Sequence, residues 1–157
     1  MSRGQFRFSY LTPDYDSTVA FYRDGLDLPV LESWDRDVDD RGALFAAASG
    51  IIEILARPKS GAAFHSWDER PPQGVFMVIE VEDVEQTYGR AVEKGLAIQQ
   101  HLTTQPWGHR SFCVREPNGL TLYFFLNPST NFDAVGSLLT SAPSAVAQTP
   151  STAGPPS

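Results

Sequence analysis

Cysteine is all but missing. Cys113 stands alone among 157 residues, so no intrachain disulfide can form and no thiolate-built zinc site is available. Set within Ser111-Phe112-Cys113-Val114, it reads as a core or half-buried strand residue. No apolar run approaches the roughly 20 residues that a bilayer span requires. The opening Met1-Ser2-Arg3-Gly4-Gln5 lacks the apolar stretch of a signal peptide. A cytoplasmic location without membrane contact is the expectation. Positive charge is scarce too: 12 Lys and Arg against 19 Asp and Glu give a net charge of −7 and a pI near 4.8. Such a field repels phosphate backbones, which argues against nucleic acid as a partner and would favour a cationic ligand. It serves solubility equally well. The 41% hydrophobic and 20% charged fractions are those of a globular chain of one domain.

What is present has a repeating order. Phe6, Phe8 and Tyr10 alternate with Arg7, Ser9 and Leu11, a strand pattern over residues 5–12. Asp14 then supplies a helix cap, and Tyr15, Val19, Tyr22 and Leu26 form one helical stripe ending near Gly25. Residues 28–34 read as a second strand, 35–42 as an exposed acidic hairpin loop, and 43–48 and 51–57 as two more strands. Residues 58–73, rich in Pro, Gly, Ala and Ser, read as a linker. The plan then recurs: an apolar strand over 75–81, a helix capped by Asp83 and stopped at Lys94-Gly95, and strands over 97–102, 109–114 and 120–126. The last two are joined by the turn Glu116-Pro117-Asn118-Gly119.

The expected fold class is therefore α+β, with two βαβββ modules at about 5–57 and 74–126 packing their mixed sheets into a curved cup. The domain is expected to span 1–130. Residues 131–157 form a tail, with a short helical turn over 131–140; from 141 on it has neither charge nor aromatic residue, and disorder is expected there.

Three stretches carry a family resemblance. Phe21-Tyr22-Arg23-Asp24-Gly25-Leu26-Asp27-Leu28-Pro29, Pro106-Trp107-Gly108-His109-Arg110-Ser111-Phe112 and Glu116-Pro117-Asn118-Gly119, in that order and spacing, resemble motifs of the vicinal-oxygen-chelate superfamily. This superfamily comprises glyoxalases, extradiol dioxygenases and bleomycin-resistance proteins, and the resemblance covers about residues 5–126. In its metal enzymes the ligands come from the first and last strands of each module. The resemblance puts Arg7, Glu53, Phe76 and Tyr123 at those four places. Only Glu53 can ligate an ordinary divalent cation, and Arg7 would set a fixed positive charge where the cation belongs. His65, His101 and His109 fall elsewhere. No metal and no cofactor are expected, and the type approached is the metal-free, antibiotic-binding one. The resemblance also implies a homodimer with two equivalent clefts.

Trp34, Trp67 and Trp107 lie near predicted strand ends or on the linker. Each admits two roles, core packing or stacking on a planar ligand at the mouth of the cup. Phe76 and Tyr123 would make the cup floor more apolar. Glu53 has three open roles: a partner for Arg7, a contact for a ligand cation, or a general base. Two functions follow. One is sequestration of a small aromatic natural product or antibiotic by Arg7, Trp34, Glu53, Phe76, Trp107, His109 and Tyr123, for resistance or self-protection. The other is a cofactor-independent isomerase, cyclase or lyase using Glu53 or His109 for proton transfer.

Overall fold

The computed structural model describes residues 4–59 and 73–133. His65, Trp67, nearly all of the expected linker and the tail after residue 133 lie outside the described residues. The elements run β1 (Arg7–Thr12), α1 (Tyr15–Ala20), a π-helical turn (Phe21–Gly25), β2 (Val30–Asp37), β3 (Asp40–Ala47), β4 (Gly50–Ala56), β5 (Phe76–Glu80), α2 (Val84–Glu93), β6 (Ala97–Thr104), β7 (Arg110–Arg115) and β8 (Thr121–Leu126). They build two four-stranded sheets, ordered β1-β4-β3-β2 and β5-β8-β7-β6. In each, the first strand pairs parallel to the last and the remaining pairs are antiparallel. The fold is the α+β, doubled βαβββ arrangement that the sequence predicts.

Both helices start where an aspartate can satisfy a free backbone N–H. Asp14 accepts from the Ser17 N–H at 3.3 Å and Asp83 from the Gln86 N–H at 2.9 Å. The predicted single helix over 15–25 is not regular. It opens into a π turn at Phe21, with the Leu26 N–H donating to the Phe21 carbonyl at 2.9 Å and the Leu28 N–H to the Tyr22 carbonyl at 3.0 Å. The wider turn buries two consecutive aromatic rings, Phe21 and Tyr22.

The predicted acidic loop over 35–42 is a correction. Those residues continue β2 and begin β3, leaving only Val38 and Asp39 between the strands. The charges that suggested a loop are cross-linked instead: Arg41 binds Asp35 at 3.1 Å and Asp16 at 2.8 Å, and its guanidinium lies over the Tyr15 ring. An exposed edge strand need not alternate apolar and polar residues, so the pattern was masked.

Side chains of successive strand residues alternate between faces. One face of each sheet meets the helices. Phe8, Tyr10, Phe45, Ile52 and Ile54 from the first sheet join Met77, Ile79, Phe112, Leu122 and Phe124 from the second in one core cluster with Tyr22, Val84 and Ala91. The face turned away from the helices carries Arg7, Ser9 and Glu53 in the first sheet, and Phe76, Val78 and Tyr123 at the equivalent register in the second.

A buried carboxylate ties the modules together. Glu116, at the end of β7, is 1% exposed. Its Oε1 accepts the N–H groups of Asn118 at 2.7 Å and Leu120 at 3.0 Å, closing the turn in which Gly119 takes a φ of 88°. Its Oε2 accepts from Asn118 Nδ2 at 2.9 Å and, across the module boundary, from the Tyr10 hydroxyl at 2.9 Å. That hydroxyl also lies 3.0 Å from the Tyr22 hydroxyl. Burial drives both phenols well above the ordinary tyrosine range, so they stay protonated and can donate. Beside them, Asn118 Oδ1 accepts from Thr12 Oγ1 at 2.8 Å and Asn118 Nδ2 reaches Thr18 Oγ1 at 3.0 Å.

Replacing Glu116 with Ala removes the acceptor of two turn N–H groups and leaves the Tyr10 phenol with Tyr22 alone. The expected loss is about 2–4 kcal/mol, a melting temperature lower by roughly 5–15 °C in a chain of this size. Differential scanning calorimetry on Glu116→Ala checks it, and a change under about 2 °C would show that the turn is not the clamp.

Candidate functional site

On the first sheet, the parallel register sets Ser9 beside Glu53 and Arg7 beside Ile51. Arg7 and Ser9 are two residues apart and share a face, so both reach toward Glu53 from β1. Arg7 Nη1 donates to Glu53 Oε1 at 3.1 Å, and Ser9 Oγ donates to Glu53 Oε2 in a short contact. The Glu53 side chain is 15% exposed and that of Arg7 is 44% exposed. The guanidinium therefore keeps donors free toward solvent while neutralising the carboxylate. Of the three roles open to Glu53, the structure shows the ion pair. Ser9 was missing from the sequence-derived set; its signal was the period-two relation to Arg7.

Trp34 stands two strands away, inside β2 rather than at a strand end, and directly opposite Gly42 of β3. The absent side chain at Gly42 is what seats the indole: a Cβ there would fall 2.1 Å from Trp34 Cζ2. The indole N–H donates to Asp40 Oδ1 at 2.9 Å, and the Arg36 guanidinium lies 5.6 Å from the ring centre. Trp34 is thus a half-buried wall with its polar edge already satisfied.

The second sheet repeats the register with different chemistry. Phe76 pairs with Thr121 and Val78 with Tyr123, so Phe76 stands where Arg7 does, Val78 where Ser9 does, and Tyr123 where Glu53 does. Phe76 is 59% exposed. The Tyr123 hydroxyl is buried and unpartnered among the described residues. His109 stacks on Phe125, ring centres 4.8 Å apart and planes at 19°. No hydrogen bond to the His109 ring nitrogens links it to a carboxylate among the described residues. Trp107, 65% exposed in the connection between β6 and β7, makes no ring contact among them. The structure thus brings Arg7, Ser9 and Glu53 into contact and groups Tyr123, Phe125 and His109. It does not join these two groups directly, nor either to Trp107. Between the edge strands β1 and β5 runs an open cavity of about 540 Å³, lined by Phe6, Phe8, Ile51, Phe76, Val78 and Phe125 among others.

The four equivalent places do not suit a divalent cation. One holds an arginine, one a phenylalanine, one a tyrosine in apolar surroundings, and both oxygens of the one carboxylate are engaged by donors. Among the described residues no group of three His, Cys, Asp or Glu side chains gathers elsewhere. No helix among them is long and apolar enough to cross a membrane.

The seat of Trp34 gives a direct test of this wall. Gly42→Ala must push the indole off β3, so its fluorescence should shift to longer wavelength as the ring enters water, with a stability loss of about 1–3 kcal/mol. An unchanged emission maximum, read in a variant with Trp67 and Trp107 changed to Phe, would show that the ring does not rest there.

The chain was compared with known families and structures. The family model described as the Glyoxalase/Bleomycin resistance protein/Dioxygenase superfamily matches residues 4–124. No curated protein matches the sequence. Among solved structures, TioX from Micromonospora sp. ML1 superposes with a TM-score of 0.65 at 20% identity, covering 79% of this chain and 98% of that one. A superfamily member from Sphaerobacter thermophilus DSM 20745 gives 0.60 at 17% identity, over 80% and 98%. Lactoylglutathione lyase from Agrobacterium tumefaciens gives 0.57 at 17%, over 79% and 93%. At these identities the structural likeness speaks for the fold alone. With the family match over most of its length, the doubled βαβββ plan and the equivalent registers of its two sheets, the chain belongs to the glyoxalase/bleomycin resistance protein/dioxygenase superfamily.

Proposed function

We propose that this chain is a metal-independent binding protein of the bleomycin-resistance type, holding a planar aromatic natural product or antibiotic against the sheet faces turned away from the helices. The observation that carries this reading is the Arg7–Glu53–Ser9 contact, at places where metal enzymes of the superfamily would carry ligands. A guanidinium there takes the electrostatic place of a cation while offering directed donors to a ligand. The aromatic complement is at hand: Trp34 seated on Gly42, the exposed Trp107 and Phe76, and the His109–Phe125 stack. Sequestration asks only for affinity, and stacking contacts of this kind add about 0.5–1.5 kcal/mol each beyond area burial.

A homodimer is part of the proposal. Phe6, Phe76 and Val78 are 75%, 59% and 54% exposed along the edges of β1 and β5, an apolar stripe suited to a second copy related by a two-fold axis. The cytoplasm is the proposed compartment.

The rival, proton transfer by Glu53 or His109, meets a specific obstacle. Both Glu53 oxygens are already engaged by Arg7 and Ser9, and no acid among the described residues orients the His109 ring. Native mass spectrometry after incubation with planar aromatic natural products should show a complex whose ligand is recovered unchanged. Glu53→Gln should retain binding, whereas Trp107→Ala should weaken it by about 1–3 kcal/mol. Turnover lost in Glu53→Gln would establish the enzyme instead.

A further inference from the structure

One polar atom on the second sheet is not served by its surroundings. The Tyr123 hydroxyl is buried, and no described residue hydrogen-bonds to it. The register explains why. Tyr123 occupies the place of Glu53, but the residues that serve Glu53, Arg7 and Ser9, are replaced by Phe76 and Val78. On its other side β7 places Cys113, 8% exposed, whose thiol is committed to Gln100 Oε1 at 3.5 Å. Burial pushes that thiol upward, so it stays uncharged. The next residue on this face, Phe125, has its ring centre 5.9 Å from that of Tyr123 and stacks on His109.

A buried hydroxyl left unpaired costs about 1–3 kcal/mol, and phenylalanine would fill the same space without that cost. The side chains set directly against it, Val78, Cys113 and Phe125, are uncharged; Glu80 and Arg115, of opposite sign, stand one register step away on the same face, so no net positive charge is there to balance an anion. A donor in apolar surroundings is instead matched to an uncharged acceptor. Building on the binding reading above, we propose that the Tyr123 hydroxyl is the polar anchor of the second sheet. It donates to an uncharged acceptor oxygen (a ketone, quinone or amide carbonyl) on a planar ligand whose ring system lies along Phe125 and His109. The first sheet would then take the charged or strongly polar end of a ligand, and the second its neutral carbonyl-bearing rings.

The test compares wild type with Tyr123→Phe, using 9-fluorenone and fluorene, planar probes of one skeleton that differ by a single carbonyl. The melting temperature of Tyr123→Phe should equal or exceed that of wild type, because the hydroxyl it removes has no partner among the described residues. The ratio of fluorenone to fluorene affinity, from tryptophan quenching, should fall by about three- to tenfold in the variant, the worth of one neutral hydrogen bond. An unchanged ratio overturns the anchor while leaving aromatic binding intact. A melting temperature several degrees lower also overturns it, since the hydroxyl would then have a partner within the protein. Failure of both probes to bind wild type contradicts the binding reading itself, and the anchor with it.

Discussion

The Glu116 carboxylate fixes the relation between the two modules, and the rest of the architecture follows from that relation. It is sealed at 1% exposure beneath the turn that joins β7 to β8, with four donors converging on its two oxygens. Three of those donors are local and shape the turn. The fourth, the Tyr10 hydroxyl, comes from β1 of the other module. Hydrogen bonds to a charged group contribute about 1.5–3 kcal/mol each, and their loss inside the core would leave the two turn N–H groups without an acceptor and cut the tie to Tyr10. The same turn holds Asn118 against Thr12 and Thr18, so β1 and α1 are gripped together. Because β1 also carries Arg7 and Ser9, the clamp between the modules and the floor of the candidate site share one strand.

From that arrangement comes an asymmetry between two registers that are otherwise alike. Each sheet lays its first strand parallel to its last, and each presents a triad of side chains away from the helices. In the first sheet the triad is Arg7, Ser9 and Glu53, charged and mutually satisfied. In the second it is Phe76, Val78 and Tyr123, apolar apart from one hydroxyl. Two copies of one supersecondary unit therefore offer two chemically distinct surfaces, which suits a ligand with a polar end and an aromatic body. It does not suit a catalytic metal, which needs about three His or carboxylate donors converging on one point, where Glu53 is the one such residue at these four places.

Much of this was legible in the sequence, for identifiable reasons. Alternation in β1, the apolar runs of β5 and β8, and the capping residues Asp14 and Asp83 mark the doubled plan because burial and free helix N–H groups leave direct traces. The pairing of Arg7 with Glu53 follows from aligning the first and fourth strands. The length of the strands in the β2–β3 hairpin did not show, because β2 is exposed and its Asp35, Arg36 and Asp37 look like loop chemistry. Trp34 read as a strand-end residue because its seat is the missing side chain of Gly42, which only the paired register reveals. Glu116 read as part of a local turn, since a partner 106 residues away leaves no local pattern. The unserved hydroxyl of Tyr123 likewise emerges only when strands are set side by side.

The central claim is that ligand binding occurs on the faces turned away from the helices, over Arg7–Glu53 on one sheet and Tyr123 on the other. Amide and indole correlation spectra recorded during titration with 9-fluorenone locate the binding surface residue by residue. The largest perturbations are expected on Val78, Tyr123, Phe125 and His109, where the carbonyl and the rings of this neutral probe belong, with smaller ones on Arg7, Ser9 and Glu53 of the facing sheet. Perturbations confined to α1, α2 and the residues packed beneath them would contradict it.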